Sequence, residues 1–137
     1  MDHNNCTNAD VVKHAIKGDS AKSSTGNMTT KPGSKFPNPW GSWLPDRLAT
    51  ILRRNSDEIS QVIYSYDTPI AWKHGDRWIT PAVSYTTTTS TRHQTHLYML
   101  LNRVVIPADC GLTEYHDLIE NRITFDRIQN KMLKGAA

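Results

Sequence analysis

Apolar residues along this chain recur with two different periods. In NADVVKHAIK, residues 8–17, Val11, Val12, Ala15 and Ile16 fall on one side of a helical projection. Asn8 is the expected N-cap and Gly18 the stop. A second helix is predicted from Pro45, which suits a first helical turn, through Leu44, Leu48, Ile51 and Leu52. Arg53 and Arg54 fall in its last turn, where cations suit the helix dipole, and Asn55 closes it. The pattern then changes. In QVIYSYDTPIAWKHGDRWIT, β-branched and aromatic residues cluster, predicting strands at 60–66, 69–73 and 77–80. KHGDRW reads as a hairpin turn built on Gly75 and Asp76, and Pro81 is expected to end the third strand or to mark an edge. Residues 83–86 are placed as one further short strand.

The run TTTTST at 86–91 precedes RHQTHLYMLLNRVV. Thr and Ser favour caps, so a helix is expected to start at 89–91. Leu97, Leu100, Leu101 and Val104 supply its apolar stripe and Pro107 breaks it. Residues 112–134 carry Leu112, Tyr115, Ile119, Ile123, Ile128 and Met132 at spacings that predict one or two amphipathic helices. By contrast, 18–39 is rich in Ser, Thr, Gly, Lys and Pro, and only Met28 and Phe36 could serve a core. Such a segment buries too little apolar area to offset chain entropy, so it reads as a flexible linker. The expected fold class is α+β: a small antiparallel sheet of about three strands flanked by helices, after a disordered N-terminal region. The expected organisation is a short helix plus linker over 1–39 and an α+β domain over 40–137.

Composition adds limits. At 137 residues and 37% hydrophobic, the chain has room for one modest core. No apolar run approaches the ~20 residues of a membrane helix, and MDHNNCTNAD lacks the basic and apolar regions of a secretory signal. Cys6 and Cys110, without CxxC spacing, read as reduced thiols, and the expected location is the cytoplasm of a host cell. Net charge is +3, but its placement matters more. Between Asp76 and Asp109 there is no acidic residue, while Arg77, Arg92, His93, His96 and Arg103 lie inside.

The sharpest chemical signal is a hydroxyl-rich turn entering a basic helix. Helix N-termini offer unpaired N–H groups and partial positive charge, which bind anions. Thr88, Thr89, Ser90, Thr91, Arg92, His93 and Gln94, with Arg77 and Arg103, are therefore the candidate partner- or phosphate-binding residues. The competing reading is ordinary capping. No P-loop or GxSxG elbow occurs. His93, His96, Cys110 and His116 match no zinc spacing, so neither a metal nor a cofactor is expected. Asp57, Glu58, Asp67 and Asp76 read as solvated turn residues. Trp72 and Trp78 are expected near each other across the hairpin, on one face, as core or as an exposed platform.

Residues 64–96 read YSYDTPIAWKHGDRWITPAVSYTTTTSTRHQTH. This segment, about a quarter of the chain, resembles an uncharacterised small domain of phage, plasmid and other mobile-element proteins. The recurring pieces are SYDTPIAW, a hairpin, and a hydroxyl-rich run, here VSYTTTTSTRHQ, with Thr88, Thr89, Ser90, Thr91, His93 and Gln94 at the matching positions. The resemblance implies a mobile-element context and carries no activity to transfer. The expectation is a non-enzymatic accessory protein that binds and inhibits a host protein or protein–nucleic-acid defence complex. The alternative is a nucleic-acid-binding module that uses the Thr-rich helix N-terminus. The near-neutral balance of 43–137, eleven basic against ten acidic residues, argues against tight phosphate binding.

Overall fold

The computed structural model describes residues 2–32, 44–66, 68–82 and 94–120. Its elements in chain order are β1 (Asp2–Cys6), α1 (Asn8–Lys17), β2 (Ser20–Ser23), β3 (Met28–Pro32), α2 (Asp46–Arg54), β4 (Ile59–Ser65), β5 (Thr68–His74), β6 (Arg77–Ala82), α3 (Gln94–Leu100), β7 (Arg103–Pro107) and α4 (Leu112–Glu120). A single 3-10 turn, Ser56–Glu58, joins α2 to β4. All seven strands form one mixed sheet in the order in which the chain makes them. β1–β2 and β6–β7 pair in parallel, and the four pairs between are antiparallel. Only β3 and β5 therefore run against the rest. The two parallel crossovers, through α1 and α3, step the same way along the sheet between strands of the same direction. Crossovers of equal hand must then lie on one face. They do: Val11, Val12 and Ala15 share a buried cluster with Leu97 and Leu101.

The opposite face is covered by α2 and α4. Leu48, Ile51 and Leu52 pack with Tyr115, Leu118 and Ile119 over Val62, Trp72, Ile79, Val104 and Ile106. Two irregularities keep this side-chain alternation in step. Ile63 pairs with Ala71 and Tyr64 with Pro69, leaving Ile70 as an extra residue on β5. Ile70 and Ala71 consequently both face α1 and α3. Pro69 sits at this bulge, where a missing N–H is tolerated.

Several expectations hold. α1 spans the expected residues, with Thr7 rather than Asn8 as N-cap: its Oγ1 accepts from the Asp10 N–H at 3.1 Å. Gly18 ends it in the left-handed region, φ 83°, which lets its N–H and that of Asp19 return to Ala15 and His14 carbonyls. α2 and the strands β4, β5 and β6 fall where the sequence places them, except that Pro81 does not end β6, which runs to Ala82 with Pro81 opposite Ile106.

Others are corrected. The sheet is a seven-stranded mixed sheet, not a small antiparallel sheet of about three strands. The N-terminal region is not disordered where it is described: SAKS and MTTKP form β2 and β3, and β3 pairs with β4 over five residues. The boundary expected at residue 40 lies outside the described residues, but the strands on either side of it are direct neighbours. The helix expected to run to Val104 stops at Leu100, and RVVIP is the parallel strand β7. Trp72 and Trp78 lie on opposite faces, because the two-residue turn pairs His74 with Arg77 and hence Trp72 with Ile79. Gly75 has φ 60° and Asp76 has a negative φ, the pattern of a type II′ turn. The strand at 83–86 and the continuation of α4 beyond Glu120 fall outside the described residues. Among the described residues no helix is long and apolar enough to cross a membrane.

Candidate functional site

Of the expected site, Thr88, Thr89, Ser90, Thr91, Arg92 and His93 lie outside the described residues. Gln94 opens the described part of α3 and is buried at 3% exposure. Arg77 and Arg103 are half-buried at the starts of β6 and β7. Arg103 pairs with Trp78 in parallel register, so both face α3. Arg77, one residue before Trp78, faces the other way. The two arginines therefore do not converge on one surface.

Three other constellations emerge from the fold. The first is buried except for its outer member, Glu58. Trp72 Nε1 donates to Tyr115 Oη at 3.1 Å, Tyr115 Oη lies 2.8 Å from His74 Nδ1, and His74 Nε2 lies 2.6 Å from Glu58 Oε2. The Glu58 carboxylate can only accept, so His74 presents Nε2–H to it, and the neutral imidazole then accepts the Tyr115 hydroxyl hydrogen at Nδ1. Every member is then satisfied. Burial pushes the Tyr115 phenol above its ordinary range, with the Trp72 hydrogen bond opposing. At 0% exposure, Tyr115 meets protein on all sides, so the chain of hydrogen bonds fastens α4 to the sheet. Cys110, also fully buried, has its thiol pushed up to about 12 by desolvation and then by Glu114 and Asp109. At pH 8 such a thiol is about one part in ten thousand thiolate. An alkylating reagent is therefore expected to label half-buried Cys6 in the native protein and to reach Cys110 only after unfolding, as peptide mass mapping would show.

The second constellation is a surface. The apolar cluster beneath α2 and α4 draws on β4 to β7 and on no residue of β1 to β3. Beside it, on the same side of the sheet, lies an open groove of about 700 Å³ lined by Asn4, Ser20, Lys22, Thr29, Lys31 and Tyr66. None of the described residues that line it is acidic. Lys22 and Thr29 are cross-strand partners, and Lys31 follows two positions on, so both ammonium groups leave the same face. Tyr66 is 51% exposed and holds φ 56°, a left-handed conformation that costs a non-glycine residue of order 1–3 kcal/mol.

The third is a side-chain cluster. His3 of β1, His14 in the last turn of α1 and Asp19 just before β2 bring one potential ligand atom each within 4.8 Å of one another. The His3 and His14 rings stack at 3.8 Å. The topology explains the meeting: in a parallel β–α–β unit, the beginnings of both strands and the end of the helix share one edge. The residues are too far apart in sequence, and too unlike a zinc-finger spacing, for periodicity to reveal them.

A family model matches residues 12–103, two thirds of the chain, and describes a family of unknown function, DUF8033. The chain belongs to DUF8033. No curated protein and no solved structure matches it. The DUF8033 match runs from Val12, within α1, to Arg103, the first residue of β7. It therefore contains Lys22, Lys31, Tyr66, His14 and Asp19, while His3 and Tyr115 lie outside it.

Proposed function

We propose that this DUF8033 protein is a non-enzymatic accessory protein of a phage or other mobile element, which docks on an acidic face of a host protein in the cytoplasm and inhibits it. The observation that carries this reading is the groove over β2 and β3: two lysines and several hydroxyls on one face, with no carboxylate among the described lining residues. Charge complementarity of this kind steers encounter and selects partners. The strained, exposed Tyr66 at the rim supports it, since aromatic anchors beside cationic groups are typical of binding surfaces. The resemblance of residues 64–96 to mobile-element proteins supplies the context. A protein partner is favoured over nucleic acid because two lysines neutralise few phosphates, and tight binding needs many.

The test is affinity capture from host lysate with and without nuclease, using the full chain and a Lys22→Glu, Lys31→Glu variant. The expected result is a partner that survives nuclease and whose retention falls roughly tenfold or more on charge reversal. Loss of the partner with nuclease would instead favour the nucleic-acid reading. Undiminished capture by the variant would remove the groove from the interface.

A further inference from the structure

We infer that His3, His14 and Asp19 form a binding site for a divalent transition metal, zinc by the chemistry of its ligands. The distances carry the argument. His3 Nε2 and His14 Nδ1 lie 3.7 Å and 3.6 Å from the same oxygen, Asp19 Oδ2. Both separations are too long for direct hydrogen bonds, whose heavy atoms sit at ~2.7–3.2 Å. They come close to the roughly 3.3 Å that separates two ligands bound at ~2.0–2.1 Å around a tetrahedral ion. The two imidazoles thus already stand within a few tenths of an ångström of ligand spacing from the carboxylate oxygen they would share an ion with.

A second observation points the same way. His14 Nδ1 is shielded from solvent and has no hydrogen-bond partner among the described residues. A buried imidazole nitrogen ordinarily finds a partner, and an ion is one that would satisfy it. The rings now stack at an interplanar angle of 11°. Because ring lone pairs lie in the ring plane, coordination requires the two rings to splay toward the ion.

The supports of the site are already rigid. Asp19 N–H donates to the His14 carbonyl at 2.9 Å, through the turn that Gly18 permits. Gln61 Nε2 donates to the Asp19 carbonyl at 2.9 Å, tying the same residue to β4. His3 is fixed by the pairing of β1 with β2, opposite Ala21, on the side that faces α1. The groove over Lys22 and Lys31 opens on the other side of the sheet, so the metal site is independent of it. Two imidazoles and a carboxylate suit zinc better than calcium or magnesium, which prefer all-oxygen shells. The fourth position is left to water.

Zinc chloride titrated by calorimetry into the untagged, chelator-stripped full chain tests this. One saturable equivalent is expected. His3→Gln, His14→Gln and Asp19→Asn should each weaken binding by more than the roughly 10–100-fold typical of groups that only orient a metal ligand. Cobalt(II) on the unmodified chain gives a readout that does not depend on any variant folding. It should produce the intense visible absorption of four-coordinate cobalt and displaced proton resonances from His3 and His14, with those of His74 unmoved. Absence of saturable binding, displacement of other histidines instead, or affinity unchanged in all three variants would each overturn the assignment.

Discussion

Replacing Trp72 with alanine is expected to destabilise the protein by about 4 kcal/mol, the middle of the range for a buried aromatic truncated to a methyl group. The indole is fully buried between the sheet and the layer of α2 and α4. Its removal leaves a cavity whose walls, Leu48, Tyr64, Ile79 and Tyr115 among them, come from different elements and cannot collapse together. It also takes away the donor to Tyr115 Oη. Domains of this size have total stabilities of about 5–15 kcal/mol, so the loss is a large share of the whole. Urea denaturation followed by far-ultraviolet circular dichroism measures it. Trp72→Phe is the milder change: a six-membered ring stays, but three ring atoms go, the N–H among them, so about 2 kcal/mol is expected. A loss under 1 kcal/mol for the alanine variant would contradict the packing described.

Tyr115→Phe is expected to cost about 3 kcal/mol although it removes a single oxygen atom, because it strands two buried partners. Trp72 Nε1–H loses its acceptor, and His74 Nδ1 loses its donor. His74 is 8% exposed and Trp72 fully buried, so water replaces neither bond freely. The variant should unfold at lower urea concentration, with α4 the first element to lose amide-exchange protection, since the lost bonds are those that fasten it. A double-mutant cycle with Trp72→Phe should show the two substitutions to be strongly non-additive, because both delete the same hydrogen bond. Additive costs would mean that the Trp72–Tyr115 bond contributes nothing to folding.

The site was less legible than the fold around it. Lys22 and Lys31 stand in a stretch whose composition reads as linker, and nothing local reveals that β2 and β3 hold them on one face. His3, His14 and Asp19 are separated by ten and four residues, and only the parallel β1–α1–β2 crossover brings them together. Conversely, Arg77 and Arg103 share an acid-free window of sequence yet leave opposite faces of the sheet, because adjacent positions on a strand alternate.

Strong local patterns determined their elements by themselves. The apolar stripe ending at Gly18 sufficed for α1, and so did the stripe of Leu48, Ile51 and Leu52 for α2. The β-branched and aromatic run around Gly75–Asp76 sufficed for the hairpin of β5 and β6. In these segments, side-chain periodicity, caps and turn residues all favour the same conformation. Tertiary structure alone decided the rest. DHNNC, SAKS and MTTKP have too few apolar residues to announce strands; they are strands because β4 offers an open edge to β3, β3 to β2 and β2 to β1, while α1 covers their inner face. RVVIP follows a leucine stripe at helical spacing, and it is a strand because β6 presents it with a parallel ladder and the apolar cluster under α2 and α4 takes in Val104 and Ile106. Its alternation, Val104 and Ile106 buried beside half-buried Arg103 and Val105, is too short to stand out after a leucine stripe, and backbone pairing with a neighbour distant in sequence outweighs local preference.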